Sequence, residues 1–204
     1  MTSLNQFKVF DSHFHLIDKR FPLVPNQGYL PNSFSAKDYL KSTKGYDIAG
    51  GAIVSGSFQV FDQSYLISAL KELGPNFVGV TQLPISVTDD DLIGLDQSGV
   101  RAIRFNLKRG GSEGIENLER FAKRVYETVG WHIELYVDSK DLADLHQILS
   151  ALPSVCIDHL GLSGEGLSNL LLLVEKGVKV KATGFGRVDF DVKDAIRKIV
   201  EINP

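Results

Sequence analysis

The sequence is poor in several features that would indicate particular classes of protein. It has a single cysteine, Cys156, which excludes a disulfide within the chain and fits a reducing compartment. No run approaches the roughly 18 apolar residues that span a bilayer, and the first residues lack the regions of a secretion signal. The formal charge of −3 shows no excess of basic residues of the kind that proteins use to bind nucleic acid. We therefore expect a cytoplasmic protein that binds neither membranes nor nucleic acid.

Several well-known motifs of enzymes are also missing from the sequence. No GxGxxG follows a predicted strand, and no GxxxxGK[ST] is present, which argues against dinucleotide and P-loop nucleotide sites. A Gly-x-Ser-x-Gly elbow, as found in many serine hydrolases, is lacking as well. Cys156 lies within a predicted strand, so we interpret it as a core residue and not as a nucleophile.

What the sequence does contain is one repeated pattern. An amphipathic helix, a Gly or Pro break and a short run rich in Val, Ile and Phe follow one another along the chain. From the second predicted strand onward the strand starts are 23 to 26 residues apart, with one gap of 32. This spacing fits βα units with parallel strands. The pattern predicts seven strands, near residues 7–15, 51–57, 77–83, 100–106, 132–138, 155–159 and 178–184.

Seven βα units indicate an α/β fold of the (β/α)8 TIM-barrel type, because an open sheet would leave two long edges unpaired. The last predicted helix, near 191–202, is followed by Asn203-Pro204, where earlier units begin their next strand. We therefore expect a barrel truncated after about seven βα units, without its eighth strand. No linker divides the chain, so residues 1–204 are predicted to form a single domain.

Three histidines are predicted to lie at the rim where such barrels keep their active sites. His13 and His15 end the first strand, and residues two apart on a strand point to the same side. His159 ends the sixth strand on the same rim. Neutral imidazoles side by side can bind a divalent metal. The alternative is that His13 and His15 are two polar residues at a strand end and that His159 is a loop histidine in a helix-capping Asp-His turn. His132 and His146 are interpreted as an interior and a surface histidine.

Cationic and aromatic residues are predicted around the same rim. Arg104 ends the fourth strand and Arg187 follows the seventh, and guanidinium groups there suit a substrate carboxylate. Tyr136 near the end of the fifth strand either contacts a ligand or packs in the core. The long irregular segment 17–34 follows the first strand directly and is expected to cover a site at its end.

Seven stretches resemble, in order, the motifs of one known family. They are DSHFH at 11–15, DKRFP at 18–22, NQGY at 26–29, RAIRFN at 101–106, GWHIELY at 130–136, IDHLG at 157–161 and KVKATG at 179–184. The sequence is similar in these stretches to the amidohydrolase-2 family, in particular to the branch that contains the 2-pyrone-4,6-dicarboxylate lactonases. The resemblance covers nearly the whole chain.

The resemblance implies a hydrolase that cleaves a lactone or related acyl bond of a small carboxylated substrate. His13, His15 and His159 would be the catalytic residues and, if a metal is bound, the ligands of one divalent ion, Zn or Mn. Some members of the branch work without metal and polarise the carbonyl with histidines. Substrate binding would fall to Tyr29, Arg104, Tyr136 and Arg187.

The resemblance also implies an aspartate at the end of an eighth strand, and we expect this chain to lack it. Its activity is therefore left open, since a general base contributes on the order of 100-fold to 10,000-fold in rate. One alternative is a decarboxylase of the same superfamily. The other is a non-catalytic remnant that binds a ligand or forms a homo-oligomer through an open sheet edge.

Overall fold

The chain folds into one curled sheet of seven parallel strands whose order in the sheet follows their order in the sequence. The computed structural model describes residues 7–204, so residues 1–6 of the predicted domain lie outside the described residues. The strands are β1 (Lys8–Phe14), β2 (Asp47–Val54), β3 (Phe77–Thr81), β4 (Val100–Asn106), β5 (His132–Tyr136), β6 (Val155–Ile157) and β7 (Lys179–Val180). The helices are α1 (Ala36–Ser42), α2 (Ser64–Leu73), α3 (Asp89–Gln97), α4 (Leu118–Val129), α5 (Leu142–Ala151), α6 (Leu167–Glu175) and α7 (Val192–Ile202).

This architecture confirms the predicted TIM-barrel-like α/β fold with seven βα units. Within residues 7–204, β1 pairs with β2 and β7 pairs with β6, and no pairing joins β1 to β7. Among those residues no helix is both long and apolar enough to cross a membrane. The expected homo-oligomer and the single-domain boundary stay predictions.

β2 and β7 differ most from their predicted bounds. β2 begins at Asp47, earlier than the predicted 51, because the strand runs through Gly50, where an added Cβ would collide with the carbonyl of Asn76. β7 is limited to two residues instead of 178–184. Beyond it, the carbonyl of Lys181 accepts a hydrogen bond of 3.1 Å from the amide of Leu160, in the turn after β6. The chain after β7 is therefore tied to that turn.

The main core lies between the outer face of the sheet and the helices. Alternate residues of the strands, such as Ile103 and Phe105 of β4 or Ile133 and Leu135 of β5, are fully buried in it. Because side chains alternate along a strand, the residues between them point to the inner side of the sheet. Those inner residues include Arg104 and Glu134, which face each other across β4 and β5 in register, so two charged groups are held inside the curl.

The helices carry local signals that fix where they begin and end. Thr88 caps α3 with a capping box, in which its hydroxyl accepts from the amide of Asp91 and the Asp91 carboxylate accepts in return. On α4 one face is buried, as its apolar spacing predicts, and Gly130 ends the helix in the left-handed conformation with φ 73°. These signals place each following strand, and with it the residues at the rim.

Candidate active site

His13 and His15 lie side by side at the carboxyl end of β1. Their ring centroids are 5.0 Å apart and the rings are perpendicular. Nδ1 of His15 lies 2.7 Å from the carbonyl oxygen of Val54 on β2. Because a carbonyl only accepts, Nδ1 carries the hydrogen and Nε2 of His15 keeps its lone pair. The neighbouring strand therefore sets the tautomer of this imidazole.

His159 joins the pair from the turn after β6. Its ring centroid is 4.5 Å from that of His13, and its Nδ1 lies 2.9 Å from Oγ1 of Thr183. The structure thus brings the three histidines singled out in the sequence into one cluster. Their assignment as catalytic residues stays a prediction.

A network of buried charges lies against His13 on the inner side of the sheet. Arg104 donates from Nε and Nη2 to Oδ2 of Asp158, at 3.0 and 2.8 Å, and from Nη1 to the carbonyl of Ser55 at 2.9 Å. Asp158 Oδ1 lies 3.2 Å from His13 Nδ1. Glu134 contacts Lys181 and lies 3.7 Å from His13 Nδ1. Two cations therefore balance two carboxylates beside the histidine.

Burial and these charges shift the pKa values of the cluster. Burial raises the pKa of Glu134 and the negative charge of Asp158 adds to the effect, whereas the positive charges of Lys181 and Arg104 lower it. The pKa of Asp158 is well below its usual range because, although burial opposes ionisation, the Arg104 charge and the His13 hydrogen bond favour it. Burial lowers the pKa of His13, lowers that of His15 well below 6.5, and lowers that of His159 to about 3. All three imidazoles are neutral at pH 7, the form in which they bind metals.

The donor set can be tested for a divalent metal. His13, Asp158 and His159 each offer a ligand atom, and these atoms lie within 4.8 Å of one another. Nε2 of His13 is buried without a hydrogen-bond partner among the described residues. Two imidazoles and a carboxylate suit Zn or Mn. The cluster therefore fits one ion through His13, Asp158 and His159, and the ligand role of His15 stays a prediction.

A cleft of about 700 Å³ opens above the cluster and is lined by all four predicted substrate-binding residues. Arg187 donates to the hydroxyl of Tyr136 at 3.1 Å. Tyr29 is 63% exposed and belongs to segment 17–34, which forms one wall of the cleft as expected from the sequence. Asn26 bonds that segment to the loops after β2 and β4: its side-chain amide donates to Oγ of Ser57 at 2.6 Å and to the carbonyl of Arg109 at 3.0 Å.

Arg104 is more deeply buried than expected for the rim residue that the sequence predicted to bind a substrate carboxylate. Its side chain is only 2% exposed, and three of its five N–H groups are engaged by Asp158 and Ser55. Arg187, in contrast, is exposed at the cleft wall. A grip on a substrate carboxylate stays a prediction for both, but the main contacts of Arg104 in this structure are to the protein.

The remaining histidines and the cysteine lie away from the cleft. His132 begins β5 and lies 4.0 Å from Glu134 Oε2, and burial lowers its pKa to about 4. His146 is on α5, on the outside of the sheet. Cys156 is buried within β6 and free, in agreement with its interpretation as a core residue.

Sequence reasoning missed Asp158, Lys181 and Thr183. The signal for Asp158 is its place directly after the buried strand Val155-Cys156-Ile157, whereas Lys181 has no buried neighbour in the sequence to mark it. A buried charge needs a partner of opposite sign. Two acids and two bases on neighbouring strands therefore indicate an internal network. Thr183 has no comparable signal, because its partner is brought to it by the turn after β6.

The fold is a curled α/β sheet of the barrel type in which histidines at strand ends border a cleft. The model of the amidohydrolase-2 family, described as Amidohydrolase, matches residues 10–199, and the chain belongs to this family. A curated relative, the 2-pyrone-4,6-dicarboxylate hydrolase of Comamonas testosteroni, is 28% identical over 165 residues, which cover 76% of this chain. The chain spans about half (54%) of the length of that relative.

Solved structures agree with this assignment. A protein from Pseudomonas putida, named as a candidate 2-pyrone-4,6-dicarboxylic acid hydrolase, is 27% identical with a TM-score of 0.72, over 95% of this chain and 75% of its own. Another from Acinetobacter baumannii, named likewise and solved with citric acid bound, shares the fold with a TM-score of 0.80 at 19% identity, over 96% and 78% of the two chains. The resemblance to this branch, predicted from the sequence motifs, is confirmed.

Proposed function

We propose that the protein is a hydrolase that cleaves a lactone or related acyl bond of a small carboxylated substrate. One observation carries the proposal: three neutral imidazoles meet at the base of a cleft whose wall presents Arg187 and the hydroxyl of Tyr136. The names of the relatives support the same reaction and suggest a pyrone dicarboxylate as the substrate class.

The chemistry needs a water, a base and a polarised carbonyl. Nε2 of His15 holds a lone pair, since its Nδ1 donates to Val54, and it can accept the proton of a water that attacks the acyl carbon. The bond from that carbon to the ring oxygen then breaks, and the proton passes to the leaving oxygen. Arg187, beside Tyr136, orients a carboxylate of the substrate by a charge-assisted hydrogen bond.

One divalent ion, Zn or Mn, would be held by His13, His159 and Asp158 and would supply Lewis-acid polarisation and a lower pKa for the attacking water. A metal-free reaction would instead need an imidazole N–H group directed at the carbonyl oxygen. In both cases Arg104 keeps Asp158 ionised, and Asp158 orients His13 through Nδ1.

The proposal is tested by incubating the chain with 2-pyrone-4,6-dicarboxylate, with and without added Zn or Mn, and following the absorbance of the pyrone ring. We expect ring opening that His15→Ala, which removes the proposed base, slows by on the order of 100-fold to 10,000-fold, and that His13→Ala slows as well. The matched control is His146→Ala, a histidine on α5 outside the cleft, which should leave the rate unchanged.

The mass of the product separates the neighbouring reactions. Hydrolysis adds one water to the substrate, whereas a decarboxylase would release carbon dioxide. Equal inactivity of the wild type and of His13→Ala, in all metal conditions and with a panel of other carboxylated lactones, would refute the hydrolase and leave a binding protein.

A further inference from the structure

The turn that carries His159 has an unusual backbone. Four consecutive residues, 159–162, have positive φ angles of 52°, 54°, 73° and 69°, and only the third of them is glycine. The left-handed region is unfavourable for residues with a side chain, so such a run persists only when its surroundings fix it. Contacts with its surroundings must therefore hold His159 in place.

Those contacts come from the segment 181–184, directly after β7. The carbonyl of Lys181 accepts from the amide of Leu160 at 3.1 Å, and Oγ1 of Thr183 lies 2.9 Å from Nδ1 of His159. Gly184 packs against the imidazole so closely that an added Cβ would lie 2.6 Å from Nδ1 and 2.8 Å from Cγ. Backbone, hydroxyl and glycine thus contact the turn and the ring of His159 from one side.

The partner of Nδ1 determines which nitrogen of a neutral imidazole is protonated. His15 has a carbonyl at Nδ1, which only accepts, so its hydrogen is on Nδ1. For His13, a carboxylate oxygen of Asp158 lies 3.2 Å from Nδ1, and its negative charge favours the hydrogen at that nitrogen. The hydroxyl of Thr183 can accept or donate, so the partner alone leaves the tautomer of His159 undecided.

Charges of both signs lie near this ring. The guanidinium carbons of Arg104 and Arg187 lie 5.2 and 6.0 Å from the ring of Tyr136, which is 5.3 Å from the ring of His159, and Asp158 offers an oxygen within 4.8 Å of a nitrogen of His159. The hydroxyl of Thr183 is a direct hydrogen-bond partner of Nδ1, so the direction of that bond sets which nitrogen is protonated.

We propose that Thr183 and Gly184 are positioning residues for His159. Gly184 leaves room for the His159 ring to pack against the backbone, and the hydroxyl of Thr183 accepts a hydrogen bond from Nδ1–H of His159. Nε2 of His159 is then unprotonated. All three imidazoles then carry a free Nε2, ready to ligate a metal or to accept a proton. The consequence for catalysis rests on the proposed function, whereas the tautomer itself does not.

The tautomer can be read from long-range ¹H–¹⁵N spectra of the full chain, treated with EDTA and held at a pH where the histidines are neutral. We expect His159 to show a protonated Nδ1 in the wild type and in Thr183→Ser. In Thr183→Val, which lacks the acceptor, the Nε2–H form should appear. A wild-type His159 protonated on Nε2 would overturn the proposal, and so would a spectrum that Thr183→Val leaves unchanged. If Thr183→Val does not fold, the wild-type tautomer alone decides.

Kinetics supply the second measurement. Thr183→Val should lower kcat by at least tenfold with little change in KM, and Thr183→Ser should restore it. The matched control is Thr128→Val, which removes a hydroxyl that bonds a helix carbonyl on α4. An unaltered kcat in Thr183→Val would refute the positioning role. An inactive wild type would refute the proposed hydrolase instead, while the spectra would still decide the tautomer.

Discussion

The buried pair of Arg104 and Asp158 gives the sharpest prediction about stability. In Arg104→Met the Asp158 carboxylate loses the two N–H donors that reach Oδ2, and both side chains are at most 2% exposed. Removing one partner of a buried ion pair costs about 3–5 kcal/mol, since the remaining charge has no compensation. Lys181 stays nearby and offsets part of this, so we expect a loss of about 3 kcal/mol in the free energy of unfolding.

The assay is urea unfolding followed by far-UV circular dichroism, arranged as a double-mutant cycle with Asp158→Asn. The double variant removes one charge of each sign and should recover at least about 2 kcal/mol relative to the sum of the single losses. The matched control is Arg101→Met on the same strand, whose ion pair to Asp96 is 49% and 36% exposed, so its loss should stay below about 1 kcal/mol. Equal losses for Arg104→Met and Arg101→Met, or additive losses in the cycle, would refute the buried network.

Three further predictions concern single positions. Gly184→Ala should lower the free energy of unfolding by about 1–2 kcal/mol, because its φ is +64°; an unchanged urea midpoint would contradict this. Thr88→Ala removes the capping box of α3 and should cost about 1 kcal/mol in the same assay, whereas Thr88→Ser should be nearly neutral. The pKa of His132 is lowered to about 4, so the unfolded state binds its proton first and stability falls as the pH drops from 6.5 towards 4. His132→Gln should reduce that slope, and an equal slope would show that His132 titrates normally.

From β3 onward, the strand positions could be predicted from the sequence because each strand follows a helix stop signal and is rich in β-branched residues. The same periodicity placed His13, His15 and His159 at one rim, since residues at the carboxyl ends of parallel strands share an edge. All three lie in one cluster in the structure. The local sequence pattern was sufficient to predict the strand positions and the shared rim of the three histidines. Neither prediction depends on the register between neighbouring strands.

The contacts beneath the rim could not be predicted, because they depend on register between strands. Arg104 was placed at the mouth as a substrate clamp, yet two residues of strand follow it, so its side chain lies deeper, opposite Glu134. The shortness of β7 could not be predicted either, because it also depends on contacts between segments that are distant in the sequence. Residues 181–184 read as strand, but they bond and pack against the turn at His159, whose left-handed backbone the sequence does not reveal.

The central claim is that the three imidazoles work as a single unit on one substrate, and the most direct measurement compares single and combined alanine variants in the lactone hydrolysis assay. If His13 and His159 serve one reacting centre, each single variant should lose about as much kcat/KM as the double variant, as in other catalytic constellations. His146→Ala, alone or added to the double variant, should change nothing. Losses that multiply between His13→Ala and His159→Ala would contradict the shared centre.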